Sequence, residues 1–127
     1  MHELINPPEL PQPTAPYSNG VRAGGLVFVA GQLAIDDAGD LVGDGDIALQ
    51  TRRTIENVES VLREAGCSLD EVVSTTVYLS SFDDYGEYNR VYAECFGENR
   101  PARATIRADL VLAGALIEIQ AIAVRRQ

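Results

Sequence analysis

Histidine is nearly absent from this sequence: His2 is the only one in 127 residues, and Cys67 and Cys95 are the only cysteines. These shortages exclude much chemistry. A Ser-His-Asp or Cys-His relay has no internal histidine to use, and a His-rich zinc site cannot be assembled. The two cysteines lack metal-ligand spacing, and they read as free thiols in a reducing compartment. Positive charge is also scarce. Ten basic residues face 19 acidic ones, for a formal charge of −9. Such a chain is repelled by nucleic acid and by anionic membranes. Arg52-Arg53 and Arg125-Arg126 are only isolated basic pairs. No apolar run reaches the roughly 18 residues of a membrane span. Residues 1–6 show no basic segment followed by an apolar one, so the expected location is cytoplasmic. No Gly-rich phosphate loop opens either of the two expected helices.

What is present fits one globular domain over residues 1–127, since 46% of the chain is apolar and its length suits a single core. Pro7, Pro8, Pro11, Pro13 and Pro16 fix an extended or turn-like lead-in. It delivers Tyr17 either to a specific place or simply to the surface. Residues 21–35 read as a hairpin turning at Gly24-Gly25. Gly31, inside the second arm, marks a bulge, a close backbone approach or a packing need. Asp46 caps a helix whose buried face is Ile47, Thr51, Ile55, Val58, Leu62 and Ala65, with Asn57 at its boundary and Gly66 at its end. A strand follows over 69–80, with Val73, Thr75, Val77 and Leu79 on one side. Ser81 or Asp83 opens a second helix with Tyr85, Tyr88, Val91 or Tyr92, and Cys95 or Phe96 inward. Asn89 lies beside that stripe, and Gly97 closes the helix. Two final strands begin at Arg103 and near Leu116.

The order β-β-α-β-α-β-β predicts an α+β sandwich, two helices on a mainly antiparallel sheet. Nothing is left to cover the far face of that sheet, which predicts an oligomer.

The last two strands carry the chemistry. Alternation puts Arg103 with Thr105, Arg107 and Asp109, and turns Ala104, Ile106 and Ala108 toward the core. Glu118 stands in the apolar run Ile117 to Ala123, where a carboxylate is costly unless it has a partner. An arginine grips a planar carboxylate, and a glutamate in an apolar cleft can act as acid or base. A plain hairpin offers a purely structural alternative. It would set Glu118 opposite Arg107 and leave Arg103 roughly 13 Å farther along. Arg103 and Glu118 would then share a ligand only through an offset register or across a subunit boundary.

Several stretches together resemble the Rid/YjgF family of enamine/imine deaminases: Ala15-Pro16-Tyr17-Ser18, Ala30-Gly31-Gln32, Asn57, Tyr88-Asn89-Arg90-Val91-Tyr92, Pro101-Ala102-Arg103, Ile117-Glu118-Ile119 and Ala121-Ile122-Ala123. In order they span nearly the whole chain. The resemblance implies a chorismate-mutase-like fold and a homotrimer with clefts between subunits. It implies hydrolysis of 2-imino acids to 2-oxo acids and ammonia, without cofactor or metal. It makes Arg103 the carboxylate clamp and Glu118 the residue that positions or activates water, with Tyr17, Ala30, Gly31, Asn89 and Thr105 lining the cleft. Many active members have Ser where this chain has Ala30, Cys where it has Thr105, and a second glutamate where it has Gln120. Asn19-Gly20 replaces their usual Gln-Ala. The alternative is a non-catalytic trimer that binds a small carboxylated metabolite. Ribonuclease activity, attributed to some relatives, fits this acidic, histidine-poor chain badly.

Overall fold

The computed structural model describes residues 1–125; Arg126, half of one basic pair, and Gln127 lie outside the described residues. Eight regular elements follow in order: β1 (His2–Ile5), β2 (Gly20–Ala23), β3 (Leu26–Gln32), α1 (Ile47–Glu64), β4 (Val72–Leu79), α2 (Tyr85–Phe96), β5 (Ala102–Arg107) and β6 (Ile117–Val124). The expected β-β-α-β-α-β-β order is therefore present, preceded by one further strand. His2 pairs with Ala23 in that strand.

The six strands form one sheet in the order β1-β2-β3-β6-β4-β5. All neighbours are antiparallel except β4 and β5, which α2 connects in parallel. Parallel neighbours require a crossover of this kind, because a tight turn cannot return the chain in the same direction.

One face of the sheet is covered by both helices. Asp46 caps α1 by accepting from the Leu49 N–H, and Gly66 leaves it at φ 81°. Ile55, Val58, Val61 and Leu62 then meet Val27, Val29, Ile117, Ile119, Ala121 and Ala123 in the core. Each fully buried Val, Leu or Ile side chain there contributes about 1.5–3 kcal/mol. The buried Gln50 side chain ties α1 to the loop before β6. It donates to the carbonyls of Gly43 and Gly114 and accepts from the Leu116 N–H.

The structure settles three readings of the strands, the first being the hairpin alternative. The last two strands are not a hairpin: β4 lies between β5 and β6, and Glu118 stands opposite Tyr78, not Arg107. The loop over 108–116 is long enough to carry the chain past β4 before β6 returns. Second, Ala104 and Ile106 do not face the core. On β5 it is Arg103 and Thr105 that turn toward the helices, and Ile106 is 44% exposed on the opposite face. An edge strand offers too little depth to fix the usual inside-out assignment, and tyrosines on α2 supply partners for the polar side. Third, a register shift between Val72 and Ser74 buries Val72 and turns Val73 outward, while Thr75, Val77 and Leu79 stay inside as expected.

The other face of the sheet carries no helix. Leu4, Leu26, Phe28, Ile106 and Val124 are exposed on it, and Glu118 and Gln120 share its surface.

Candidate active site

The site residues fall into two groups on opposite faces of the sheet. The first group lies between α2 and β5. Tyrosines at 85, 88 and 92 recur at helical spacing, so one stripe of α2 presents three phenol rings to the edge of the sheet. Arg103, on the helix-facing side of β5, lies against all three, with its guanidinium carbon 5.9, 5.2 and 4.9 Å from the ring centroids of Tyr85, Tyr88 and Tyr92. Its Nη1 donates to Asn89 Oδ1 at 2.8 Å and its Nη2 to the Tyr85 hydroxyl at 3.0 Å. Cation–π contact and two hydrogen bonds thus fix the planar fork while leaving further N–H donors free. Two hydroxyl pairs stiffen this wall: Thr105 with Tyr88 and Thr75 with Tyr92, each at 2.8 Å. Burial pushes both Tyr88 and Tyr92 above the ordinary phenol range, so they remain neutral at physiological pH. Asn89, Tyr92, Ala93, Arg100, Pro101 and Arg103 line a pocket of about 330 Å³ beside the guanidinium.

The second group lies on the uncovered face. β3 bulges between Val29 and Gln32, where its register with β6 shifts. Gly31 sits in that bulge with the Glu118 side chain directly over it. A Cβ on Gly31 would come within 2.9 Å of the Glu118 carboxyl carbon. Glycine here supplies space, as the close-approach reading requires. Among the described residues the Glu118 carboxylate has no hydrogen-bond or ion-pair partner, and burial raises its pKa above the usual carboxylate range. A half-buried carboxylate without a partner is costly, and such groups concentrate at functional sites.

A buried amide network holds the approach to this second group. The Asn19 N–H and Nδ2 both donate to Asn6 Oδ1, and the Ala30 N–H donates to the Asn19 carbonyl at 2.9 Å. Gln32 Nε2 donates to the Ala30 carbonyl at 3.1 Å. The proline-rich lead-in is thereby tied to the bulge, and Tyr17, two residues before Asn19, is 57% exposed. Ala30 offers only a methyl group at the bulge. Asn57 has a structural position rather than a boundary one: it is buried and donates to the carbonyls of Leu33 and Ile35.

Within one chain, then, Arg103, Asn89 and Thr105 form one cluster, and Gly31 and Glu118 form another with Ala30 next to it, while Tyr17 is exposed in the segment tied to the bulge through Asn19. The sequence reading missed the tyrosine cage, because Tyr85, Tyr88 and Tyr92 at helical spacing read as core. It also passed over Arg100, whose only signal was its place just ahead of Pro101-Ala102-Arg103. Among the described residues no group of three or more His, Cys, Asp or Glu side chains could hold a metal ion. No helix of the described residues is long and apolar enough to cross a membrane.

A family model described as Endoribonuclease L-PSP matches residues 8–125. The RutC family protein of Pyrococcus abyssi is 45% identical over 122 residues, 95% of each chain. The 3-aminoacrylate deaminase RutC of Acinetobacter baylyi is 42% identical over 121 residues, covering 95% of this chain and 96% of that one. Among solved structures, E. coli TdcF with bound serine superposes with a TM-score of 0.89 at 30% identity, covering 98% of this chain and 99% of that one. This chain belongs to the Rid/YjgF family. The family includes deaminases, and the two-helix, mostly antiparallel sandwich is its fold.

Proposed function

We propose that this protein hydrolyses small 2-imino or enamine acids to 2-oxo acids and ammonia, in clefts assembled from two copies of the chain. The observation that carries this reading is the pairing of a caged guanidinium with an unpartnered, desolvated carboxylate. Arg103 is held by aromatic rings and two neutral acceptors, which leaves its charge available to an incoming carboxylate. Glu118 is held over Gly31 with nothing to neutralise it. A raised pKa makes a carboxylate a stronger base that can both take and return a proton.

In the reaction, Arg103 holds the substrate carboxylate and so presents the adjacent C=N carbon. Glu118 takes a proton from a water as the water oxygen bonds to that carbon. Glu118 returns that proton to the nitrogen, giving a carbinolamine; it then moves the carbinolamine hydroxyl proton to the same nitrogen, the C–N bond breaks, and C=O forms as ammonia leaves. Atoms balance with one water consumed and no electrons transferred.

The two groups cannot serve one substrate within a single chain. Glu118 lies opposite Tyr78 and Arg103 opposite Thr75, two strands and three residues apart and on opposite faces. Those offsets amount to roughly 10 Å in each direction before the sheet's thickness is counted. The apolar uncovered face supplies a reason to associate, and a closed homotrimer would bury it while bringing β5 of one copy toward Glu118 of the next. The relative named 3-aminoacrylate deaminase supports the reaction class.

The test couples the protein to a threonine dehydratase acting on threonine, with semicarbazide trapping the imine. Faster release of 2-oxobutanoate with less trapped imine is expected. No acceleration would overturn the reading, as would full activity in Arg103→Ala.

Two observations favour a second reading, a non-catalytic trimer that binds a carboxylated metabolite. Ala30 contributes no hydroxyl to the cleft, and the Thr105 hydroxyl is engaged by Tyr88. That reading predicts a ligand-induced rise in melting temperature without turnover.

A further inference from the structure

The pocket beside Arg103 is lined by a second arginine. Arg100 lines the same cavity of about 330 Å³, together with Asn89, Tyr92, Ala93 and Pro101, and no carboxylate is among the lining residues. That is unusual in a chain with a net charge of −9. Five other arginines are engaged: Arg22 with Glu3, Arg52 with Glu94, Arg63 with Glu9, Arg90 with Glu87 and Glu94, and Arg53 with the Ile35 carbonyl. Among the described residues Arg100 has neither an ion pair nor a hydrogen bond. Arg107 lines another cavity, but Asp109 lies in that one and offsets its charge. The pocket beside Arg103 is thus lined by two arginines and no carboxylate. Asn89 adds a neutral donor there, because its Oδ1 is spent on Arg103 while its Nδ2 has no acceptor among the described residues.

We infer that Arg100 is a specificity-determining residue that selects dicarboxylic substrates, Arg103 taking the carboxylate next to the reacting carbon and Arg100 the one on the side chain. This rests on reading Arg103 as the carboxylate clamp. Two separated guanidiniums recognise two carboxylates, whereas a substrate with an apolar side chain leaves Arg100 with water alone. The size of the pocket, at the low end of ligand cavities, suits a short dicarboxylic acid. The reaction is unchanged: a 2-imino dicarboxylate and water give a 2-oxo dicarboxylate and ammonia.

Calorimetric binding of product-like acids tests this without depending on turnover. The wild-type protein is expected to bind 2-oxoglutarate at least about tenfold more tightly than 2-oxobutanoate, the gain of one charge-assisted contact. In Arg100→Ala that ratio is expected to collapse toward one, and Arg100→Lys to restore part of it. Equal affinities in the wild type, a ratio untouched by Arg100→Ala, or no binding of either acid would overturn the assignment. A parallel turnover assay, with imines generated from aspartate and from alanine by amino-acid oxidases, separates the two claims. Hydrolysis of both imines at a ratio indifferent to Arg100 would overturn the specificity role and leave the deaminase reading standing.

Discussion

Arg103 and Glu118 project from opposite faces of one sheet, and β4 separates the strands that carry them. That relationship sets the main constraint on function. A guanidinium gripped by tyrosines on the helix side and a bare carboxylate on the open side become one site only when a second copy supplies the missing half.

Gly31 is the position where a single methyl group tests the second half. A Cβ there would displace the Glu118 side chain. Gly31→Ala is expected to lower kcat by about 10²-fold or more, as misplacement of a catalytic group does. KM should change little, because Arg103 is untouched. Steady-state kinetics on a trapped-imine assay would check the split, and equal loss in both constants would point to a folding defect instead.

The pH dependence of stability follows from Glu118. Its folded pKa is raised by burial, so the protonated form is favoured in the native state. The native fold is therefore not penalised below the unfolded carboxyl value, and stability is lost as pH rises through the folded value. Glu118→Gln removes that penalty. It is expected to melt above the wild type at pH 8 by less than about 1 kcal/mol, since the site is partly solvated. The gap should close toward pH 4. A variant that is less stable at pH 8 would show that Glu118 has a stabilising partner.

The tyrosine cage predicts that arginine cannot be replaced by lysine. An ammonium keeps the charge of Arg103 but loses the fork that reaches Asn89 and Tyr85 together. Arg103→Lys is expected to raise KM for a small 2-imino acid by roughly tenfold or more. Unchanged KM would mean that the substrate carboxylate binds elsewhere.

Thr105 tests the wall behind the clamp. Its hydroxyl pairs with that of Tyr88, whose side chain is fully buried. Thr105→Val should cost about 1–3 kcal/mol by leaving a buried hydroxyl unpaired. Tyr88→Phe removes the partner that is buried and should cost less. Denaturant melts of the two variants would give this order; a reversed order would place the exposed end of the pair at Tyr88.

Much of the fold was legible because helical periodicity is a strong signal. Asp46, the stripe from Ile47 to Ala65, and Gly66 define α1 from residues alone. The residues alone leave a β5–β6 hairpin open as an alternative, because pairing depends on where the chain travels and nothing in residues 103–122 says that β4 intervenes. Ile106 was misplaced for a related reason: alternation gives two faces but not which one the helices cover. At the site, Arg103 and Glu118 stood out as a clamp type and a misplaced charge, and Gly31 as a strand glycine. The tyrosine cage did not, since an aromatic stripe on a helix looks like core until the strand beneath it is known.

The composite cleft is tested most directly by mixing two inactive variants. Arg103→Ala and Glu118→Ala, each expected to be inactive alone, should regain activity when co-refolded. Equal amounts should recover about a quarter of the wild-type rate, the chance that an interface draws an intact Arg103 from one chain and an intact Glu118 from the other. Activity that stays at the level of the separate variants, in oligomers shown to contain both, would contradict a site shared between copies.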